Sequence, residues 1–258
     1  MTIVCLWNRW KSHQKDIDCW NSDEIENALQ RSYQVRDSWQ KTPHGETSLI
    51  VDVFTKKNGK MSIIAKGSKK PKSKFFGYLT PFTKLKITYT GRSELKTLTN
   101  IDRDFSESTN SLSKTSYSLL YINELLIRLL PKDAVHEDLF LLYEGFLVKI
   151  HAGENIELTL RSFELDMLEM LGYGLDFENE IDKNQSIDVN KNYSFIPERG
   201  FRESKNSNFS GKDIINIRIR NLSEVSKKHL KHITQEAIHF CLDGRNLSSR
   251  EIFRRIKQ

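Results

Sequence analysis

A chain of 258 residues, 38% hydrophobic and 10% aromatic, carries enough apolar material for one large or two to three small folded domains. No apolar run approaches the roughly 20 residues that cross a bilayer, and "MTIVCLWNRWKSHQKD" lacks the small-residue cleavage site of a secretory leader. Three cysteines, none closely paired, argue against a disulfide framework and for a reducing compartment, so a cytoplasmic setting is expected.

The net charge of +6 hides a segregation. Residues 41–98 carry 13 Lys/Arg against 3 acids, residues 102–190 carry 7 against 18, and residues 191–258 carry 15 against 7. Polyanionic partners are therefore expected at the two basic segments and not at the acidic middle.

A first strand is expected over Tyr33–Trp39. In "ETSLIVDVFTKKNGKMSIIAKG" a β-rich run from Thr47 to Phe54 meets Lys56-Lys57-Asn58-Gly59, and a second run follows from Lys60 to Lys66. Asn58-Gly59 between two such runs signals a hairpin, because its turn needs backbone that Asn and Gly tolerate. In "KLKITYTGRSELKTL", Leu85, Ile87 and Tyr89 alternate with Lys84, Lys86 and Thr88, and a turn at Gly91 leads to a strand around Glu94–Thr99. Five short strands in so little chain predict a small barrel, with the OB-fold as candidate.

After Asp104 the period changes. "SESTNSLSKTS" is a polar connector, and Tyr117, Leu120, Tyr121, Glu124, Leu125 and Arg128 fall on one helical face closed by Pro131. Further helices are expected over Val135–His151 and Ile156–Leu171, the latter ending at Gly172-Tyr173-Gly174. Residues 176–210 read as an irregular insert with one strand at Tyr193–Ile196. Helices resume from Gly211, the last one starting at Ser248/Ser249 before "REIFRRI". The fold class is thus α+β and multidomain: a barrel, then a helical bundle with an irregular insert. No internal repeat is visible.

Several chemistries lack their residues. Neither "KGSKKPKSK" nor "FSGKDI" supplies the G-x-x-x-x-G-K-[ST] phosphate cradle. The run Asp176, Glu178, Glu180, Asp182 has no glycine turn or acceptor spacing for Ca²⁺ and reads as a solvated acidic loop. His229, His232, His239 and Cys241 lack the close cysteine pairs of structural zinc. No nucleophile–base arrangement stands out, so no enzyme and no cofactor is expected.

The stretch "IIAKGSKKPKSKFFGYLTPF", residues 63–82, is where positive chemistry concentrates. Lys66, Lys69, Lys70, Lys72 and Lys74 stand beside Phe75, Phe76, Tyr78 and Phe82, between two strand patterns. Single-strand binding uses lysines along phosphates and rings on which bases stack. Phe82 fits a core position better than a stacking one. A lysine run is also often a plain solvated face, and "KKPKSK" on a flexible chain would read as a nuclear-import signal.

The blocks "ETSLIVDVFTKKNGKMSIIAKG", "LTPFTKLKITYTGRSELKTL", "LYINELLIRLL", "LRSFELDMLEMLGYGLDF" and "LSSREIFRRI", in that order, resemble the RecO family of bacterial recombination-mediator and DNA-repair proteins. The likeness starts near Arg31. It implies an OB-fold domain over 31–105, a helical domain over 106–175 and 211–258, and an insert over 176–210. Residues 1–30, with Trp7, Trp10 and Trp20, have no counterpart in the family pattern and are expected to be an extension of unknown role. Many members carry a four-cysteine zinc site in the insert, whereas this chain has no cysteine between Gly174 and Gly211.

The resemblance further implies a binder of single- and double-stranded DNA that anneals complementary strands. With RecR it would help place RecA on strands coated by single-stranded-DNA-binding protein (SSB). The expected DNA-contacting residues are Lys66, Lys69, Lys70, Lys72, Lys74, Lys84, Lys86, Arg92, Lys96, Arg254 and Arg255. Arg161, in the "LRxFE" block, is the residue expected to meet the acidic SSB tail; otherwise it is a surface arginine paired with a neighbouring Glu. An OB-fold RNA-binding or translation-associated protein is the alternative reading.

Overall fold

β1 (Thr2–Leu6), β2 (Leu49–Thr55), β3 (Gly59–Ala65), β4 (Lys84–Thr90) and β5 (Leu95–Arg103) pair in the order β1-β2-β3-β5-β4 as a closed barrel. The structure, a computed structural model, describes residues 2–6, 47–79, 82, 84–103, 116–207 and 209–250. The chain divides into two compact units: Met1–Leu141 with Leu247–Gln258, and Leu142–Asn246.

In the first unit the β2–β3 hairpin falls where Asn58-Gly59 places it. Thr55 is in register with Gly59, and Lys56-Lys57-Asn58 form the loop. Gly59, at φ +65°, takes the left-handed residue that such a three-residue loop requires. The Asn58 amide donates to Thr55 Oγ1 at 2.9 Å and closes the turn.

A strand of the barrel comes from a segment that the sequence reads as an extension. β1 pairs with both β2 and β4, Val4 lying opposite Phe54 and Lys84. The apolar "TIVCL" therefore belongs to the barrel and not to an extension, since β2 and β4 both leave a ladder edge to be satisfied. The strand expected over Tyr33–Trp39, the rest of residues 1–30 and the connector "SESTNSLSKTS" lie outside the described residues. β3 and β5 pair in parallel, Ile63 opposite Lys96, and a bulge at Thr88/Tyr89 shifts the β4–β5 register.

Alternation fills the interior with Val51, Val53, Met61, Ile63, Leu85, Ile87 and Leu98. Each such side chain contributes about 1.5–3 kcal/mol by burial. Phe54, on the opposite face of β2, is fully buried and meets Phe140 edge-on with ring centroids 5.5 Å apart.

α1 (Ser116–Leu129) belongs to the first unit, although the sequence groups it with the helical domain. Two contacts explain this. Lys60 Nζ donates to the Ile127 carbonyl in the last turn of α1, where carbonyls lack intrahelical partners. The Glu124 carboxylate accepts the amides of Ser248 and Ser249 at 3.0 and 2.9 Å, so the segment starting at Leu247 joins this unit as well. The unit boundary falls within α2 (Glu137–His151).

The second unit is built on α3 (Ile156–Met170), whose N-cap Asn155 accepts the Leu158 amide at 3.1 Å. α3 stops where the sequence predicts: Gly172 has φ +82° and the Tyr173 amide closes on the Leu168 carbonyl at 2.8 Å.

The insert is not irregular. β6 (Asn192–Ile196), β7 (Gly200–Glu203) and β8 (Phe209–Ser210) form a three-stranded sheet in the order β7-β6-β8. Its apolar residues Tyr193, Phe201 and Phe209 share a core with Leu165, Ile214 and Ile233, and Phe201 has Phe177 and Phe195 at 5.6 and 5.4 Å. β6 falls where the sequence places a strand at Tyr193–Ile196, whereas β7 and β8, each short with one apolar residue, carry no readable period.

The acidic run is not wholly solvated either. Asp176 Oδ1 accepts the Glu178 and Asn179 amides, and Glu180, 4% exposed, accepts those of Asp182 and Lys183. These carboxylates fix their own loop. α4 (Gly211–Arg218) starts at N-cap Ser210, a 3₁₀ turn spans Leu222–Glu224, and α5 (Lys227–Cys241) completes the unit before Leu247 leads into helical Ser248–Arg250. Among the described residues, no helix is long and apolar enough to cross a membrane.

Candidate nucleic-acid interface

The segment between β3 and β4 is a folded loop and not a flexible tether. Lys69 N donates to Thr47 O at 3.0 Å, Lys70 N to Gly67 O at 3.1 Å and Ser73 N to Lys70 O at 2.9 Å, a chain of turns opened by Gly67 at φ +68°. Lys66, Lys70 and Lys72 are exposed, and among the described residues none of the three takes part in an ion pair. Lys69 is half-buried. Lys74 is exposed but engaged: its Nζ donates to the Thr99 carbonyl on β5 and lies 5.2 Å from the Phe75 ring centroid. The loop is thereby tied to the strand that carries Lys96.

The aromatic residues do not form an exposed stacking platform. Phe75 and Phe82 are buried, 7% and 5% exposed, and Phe76 and Tyr78 are half-buried, with Tyr78 against the barrel core. Pinning a lysine-rich loop requires apolar anchors, and these rings supply them. Phe82 holds φ +60°, a left-handed conformation uncommon for an aromatic residue.

On the strands, Lys86 is exposed and sits opposite Asp102, while Leu85 and Ile87 point inward. Lys84 is half-buried. Arg92 is exposed in the β4–β5 turn, and Lys96 is half-buried. Arg254 and Arg255 lie outside the described residues. Lys60 resembles the loop lysines in sequence but not in role: desolvation lowers its pKa, and its ammonium is spent on the α1 carbonyl.

Arg161 is neither exposed nor free. It is 7% exposed, and its Nη1 donates both to the Glu164 carboxylate, which is fully buried, and to Thr234 Oγ1 at 2.9 Å. The neighbouring-Glu pairing anticipated from sequence is present, but inside the unit and not on its surface.

Several other basic residues of the second unit are matched. Arg220 binds Asp166 and Glu169 at 2.8 Å each, Glu203 holds Lys183 at 3.0 Å and Lys191 at 3.1 Å, and Arg202 meets Asp182 at 2.9 Å. Those two lysines hold the Glu203 pKa below the usual carboxylate range. His229 Nδ1 lies 2.7 Å from Asp213 Oδ2, and the rings of His229 and His232 flank Phe209 at 4.7 and 5.6 Å. The insert does not fit the four-cysteine zinc site that the resemblance implies for many members: residues 175–210 contain no cysteine, and Phe177, Phe195 and Phe201 pack together there.

A small barrel carrying a pinned cationic loop, followed by a helical unit with its own three-stranded sheet, defines a two-unit α+β protein. The family model described as "Recombination protein O N terminal" matches residues 40–103, and "Recombination protein O C terminal" matches residues 112–251. The chain is 34% identical over 234 residues to "DNA repair protein RecO" of Haemophilus influenzae (strain 86-028NP), covering 89% of this chain and 97% of that one. It is 36% identical over 217 residues to the protein of the same name from Pseudoalteromonas atlantica, covering 81% and 88%. A third relative of that name, from Photobacterium profundum, is 36% identical over 215 residues, covering 82% and 91%. The chain belongs to the recombination protein O family, and with that membership comes a role in DNA repair and recombination.

Proposed function

We propose that the barrel is an OB-fold that binds single- and double-stranded DNA, and that the protein anneals complementary strands without breaking any covalent bond. With RecR, it helps load RecA onto SSB-coated single strands in the bacterial cytoplasm. The observation that carries this reading is the β3–β4 loop: three exposed lysines, Lys66, Lys70 and Lys72, held on a fixed backbone with no ion pair among the described residues. Fixed cations offered to solvent match a phosphate backbone, and their ordering cost is already met by the fold.

The wider contact set comprises Lys69, Lys74, Lys84, Lys86, Arg92 and Lys96, extended by Arg254 and Arg255. Annealing needs two repelling backbones neutralised together. Counterion release and base pairing supply the free energy, so no nucleotide or metal cofactor is needed. The α3 region that begins at Arg161 receives the acidic SSB tail. A guanidinium committed to Glu164 and Thr234 serves there by fixing α3 against α5, not by offering a loose charge.

The test is annealing of complementary strands, bare and SSB-coated, with single-stranded DNA and RNA of equal length competing for the protein. Annealing of SSB-coated strands with a preference for DNA is the expected result. Preference for RNA with no annealing would transfer the chain to the RNA-binding reading.

A further inference from the structure

α5 carries a basic face whose placement its own stability does not explain. Its apolar side is set by Leu230, Ile233, Thr234, Ala237 and Ile238, all buried. Away from it, Lys228, Lys231, His232 and His239 are exposed, with Glu236 as the one exposed acid on the helix. At 100° per residue, positions 228, 231, 232, 235 and 239 lie along one stripe roughly 16 Å long.

Lys227 and Lys228 open the positive end of the helix, with Lys231 one turn on. The first turn contains no acid, and Ser226 makes no side-chain cap bond. Cations there oppose the helix dipole. Lys227 is compensated by Glu157 at 3.5 Å. Neither Lys228 nor Lys231 takes part in an ion pair among the described residues. Arg202, Arg220, Lys183 and Lys191 of this unit have carboxylate partners, whereas Lys149, Arg199, Lys205 and Lys212, like Lys228 and Lys231, have no ion pair among the described residues, but those four are scattered and do not share one helix face.

We propose that the exposed face of α5, through Lys228 and Lys231, is a second binding surface for the phosphate backbone of a single DNA strand, separate from the β3–β4 loop. This rests on the proposed annealing role and assigns the second strand a place. Unpaired cations in a row along a straight helix complement a regular polyanion. Among the described residues, the one exposed large apolar side chain on α5 is Phe240, beside the stripe and not within it. That leaves the stripe little apolar grip for a folded protein partner.

The experiment uses the full chain with Lys228→Glu and Lys231→Glu together, against a control of equal charge change, Lys149→Glu with Lys205→Glu. Both are titrated with non-complementary oligonucleotides and assayed for annealing. The expected result is a fall from two bound strands per chain to one and an annealing rate reduced about tenfold or more, with the control unchanged. Lys228→Glu alone replaces a cation at the helix start by an acid, so its melting temperature should equal or exceed that of the wild type. Abolished annealing at undiminished stability marks a binding surface, not a folding defect.

If the double variant binds two strands and anneals like the wild type, the proposal is overturned. It is equally overturned if that variant keeps annealing but loses an Asp/Glu-rich peptide, which would give the face to an acidic protein. A wild-type chain that neither binds nor anneals DNA would instead remove the underlying function, a distinct failure.

Discussion

Arg161 Nη1 lies 2.9 Å from Thr234 Oγ1, joining the first turns of α3 to the middle of α5, while the same nitrogen neutralises Glu164. Glu164 is fully buried, so the guanidinium is its charge partner in a place water does not reach. Replacing Arg161 by Ala removes a charge-assisted hydrogen bond from a buried carboxylate, at a cost of about 1.5–3 kcal/mol. Urea unfolding should show this as a lowered midpoint, with SSB-tail binding and DNA binding declining together. A variant of wild-type stability that failed only in tail binding would mean that Arg161 touches the tail itself.

Gly59 stands close against the Ala134 backbone. A Cβ there would stand 1.9 Å from the Ala134 carbonyl oxygen, and the residue sits at φ +65°. Gly59→Ala must therefore bear a left-handed alanine and displace the chain around Ala134, a loss of at least about 2 kcal/mol. Thermal melting of that variant beside Gly67→Ala separates the two effects. Gly67 shares the positive φ, but no atom lies within 4 Å of its added Cβ. Equal losses in the two would show that the approach to Ala134 is immaterial.

The β3–β4 loop sets an expectation for salt dependence. Removing Lys66, Lys70 or Lys72 should each reduce the slope of log affinity against log salt by roughly one unit for every phosphate left unneutralised. Lys74→Ala should change it less, because its Nζ is already committed to the Thr99 carbonyl. Single-strand binding titrated across salt concentrations reads these slopes. Slopes unchanged from the wild type in all four variants would show the loop to be merely solvated.

Glu124 caps the helix that starts at Ser248. Its carboxylate accepts two amides and the Ser249 hydroxyl, at 3.0, 2.9 and 2.7 Å. Glu124→Ala should cost about 1–2 kcal/mol. It should also expose the chain near Leu247 to limited proteolysis before the rest unfolds. Wild-type cleavage rates would remove the capping role.

Burial pushes the Cys241 thiol up to about 11. With Cys5 and Cys19 replaced by Ser, Cys241 should react slowly with a thiol reagent at neutral pH and accelerate as pH climbs toward 11. The sign for stability follows. The folded pKa lies above the unfolded value, so protonation favours the fold, and that contribution is lost as pH rises from the unfolded value through about 11. Fast modification at neutral pH would contradict the burial.

Much of this was legible in the residues. Asn58-Gly59 marked the hairpin, the Leu85/Ile87 alternation marked β4, and Gly172-Tyr173-Gly174 marked the end of α3, because each depends on local backbone preference or a short period. The lysine cluster was legible as charge, but its state was not. Only the fold shows that Phe75 and Phe82 are anchors and that Lys74 is committed while Lys66, Lys70 and Lys72 are not.

What the sequence determined by itself is therefore most of the local elements, the charge segregation and the family. Five ordered blocks and a period of 2 or 3.6 need no knowledge of distant neighbours. What only the tertiary structure decided is partnership across long separations. Thr2–Leu6 closes the barrel against strands more than 40 residues away, Glu124 caps a helix 124 residues later, and Arg161 spends its charge inside the unit on Glu164 and Thr234. Such pairings arise when burial forces every remaining hydrogen-bonding group and charge to find a partner, and a linear sequence does not say which one will be near.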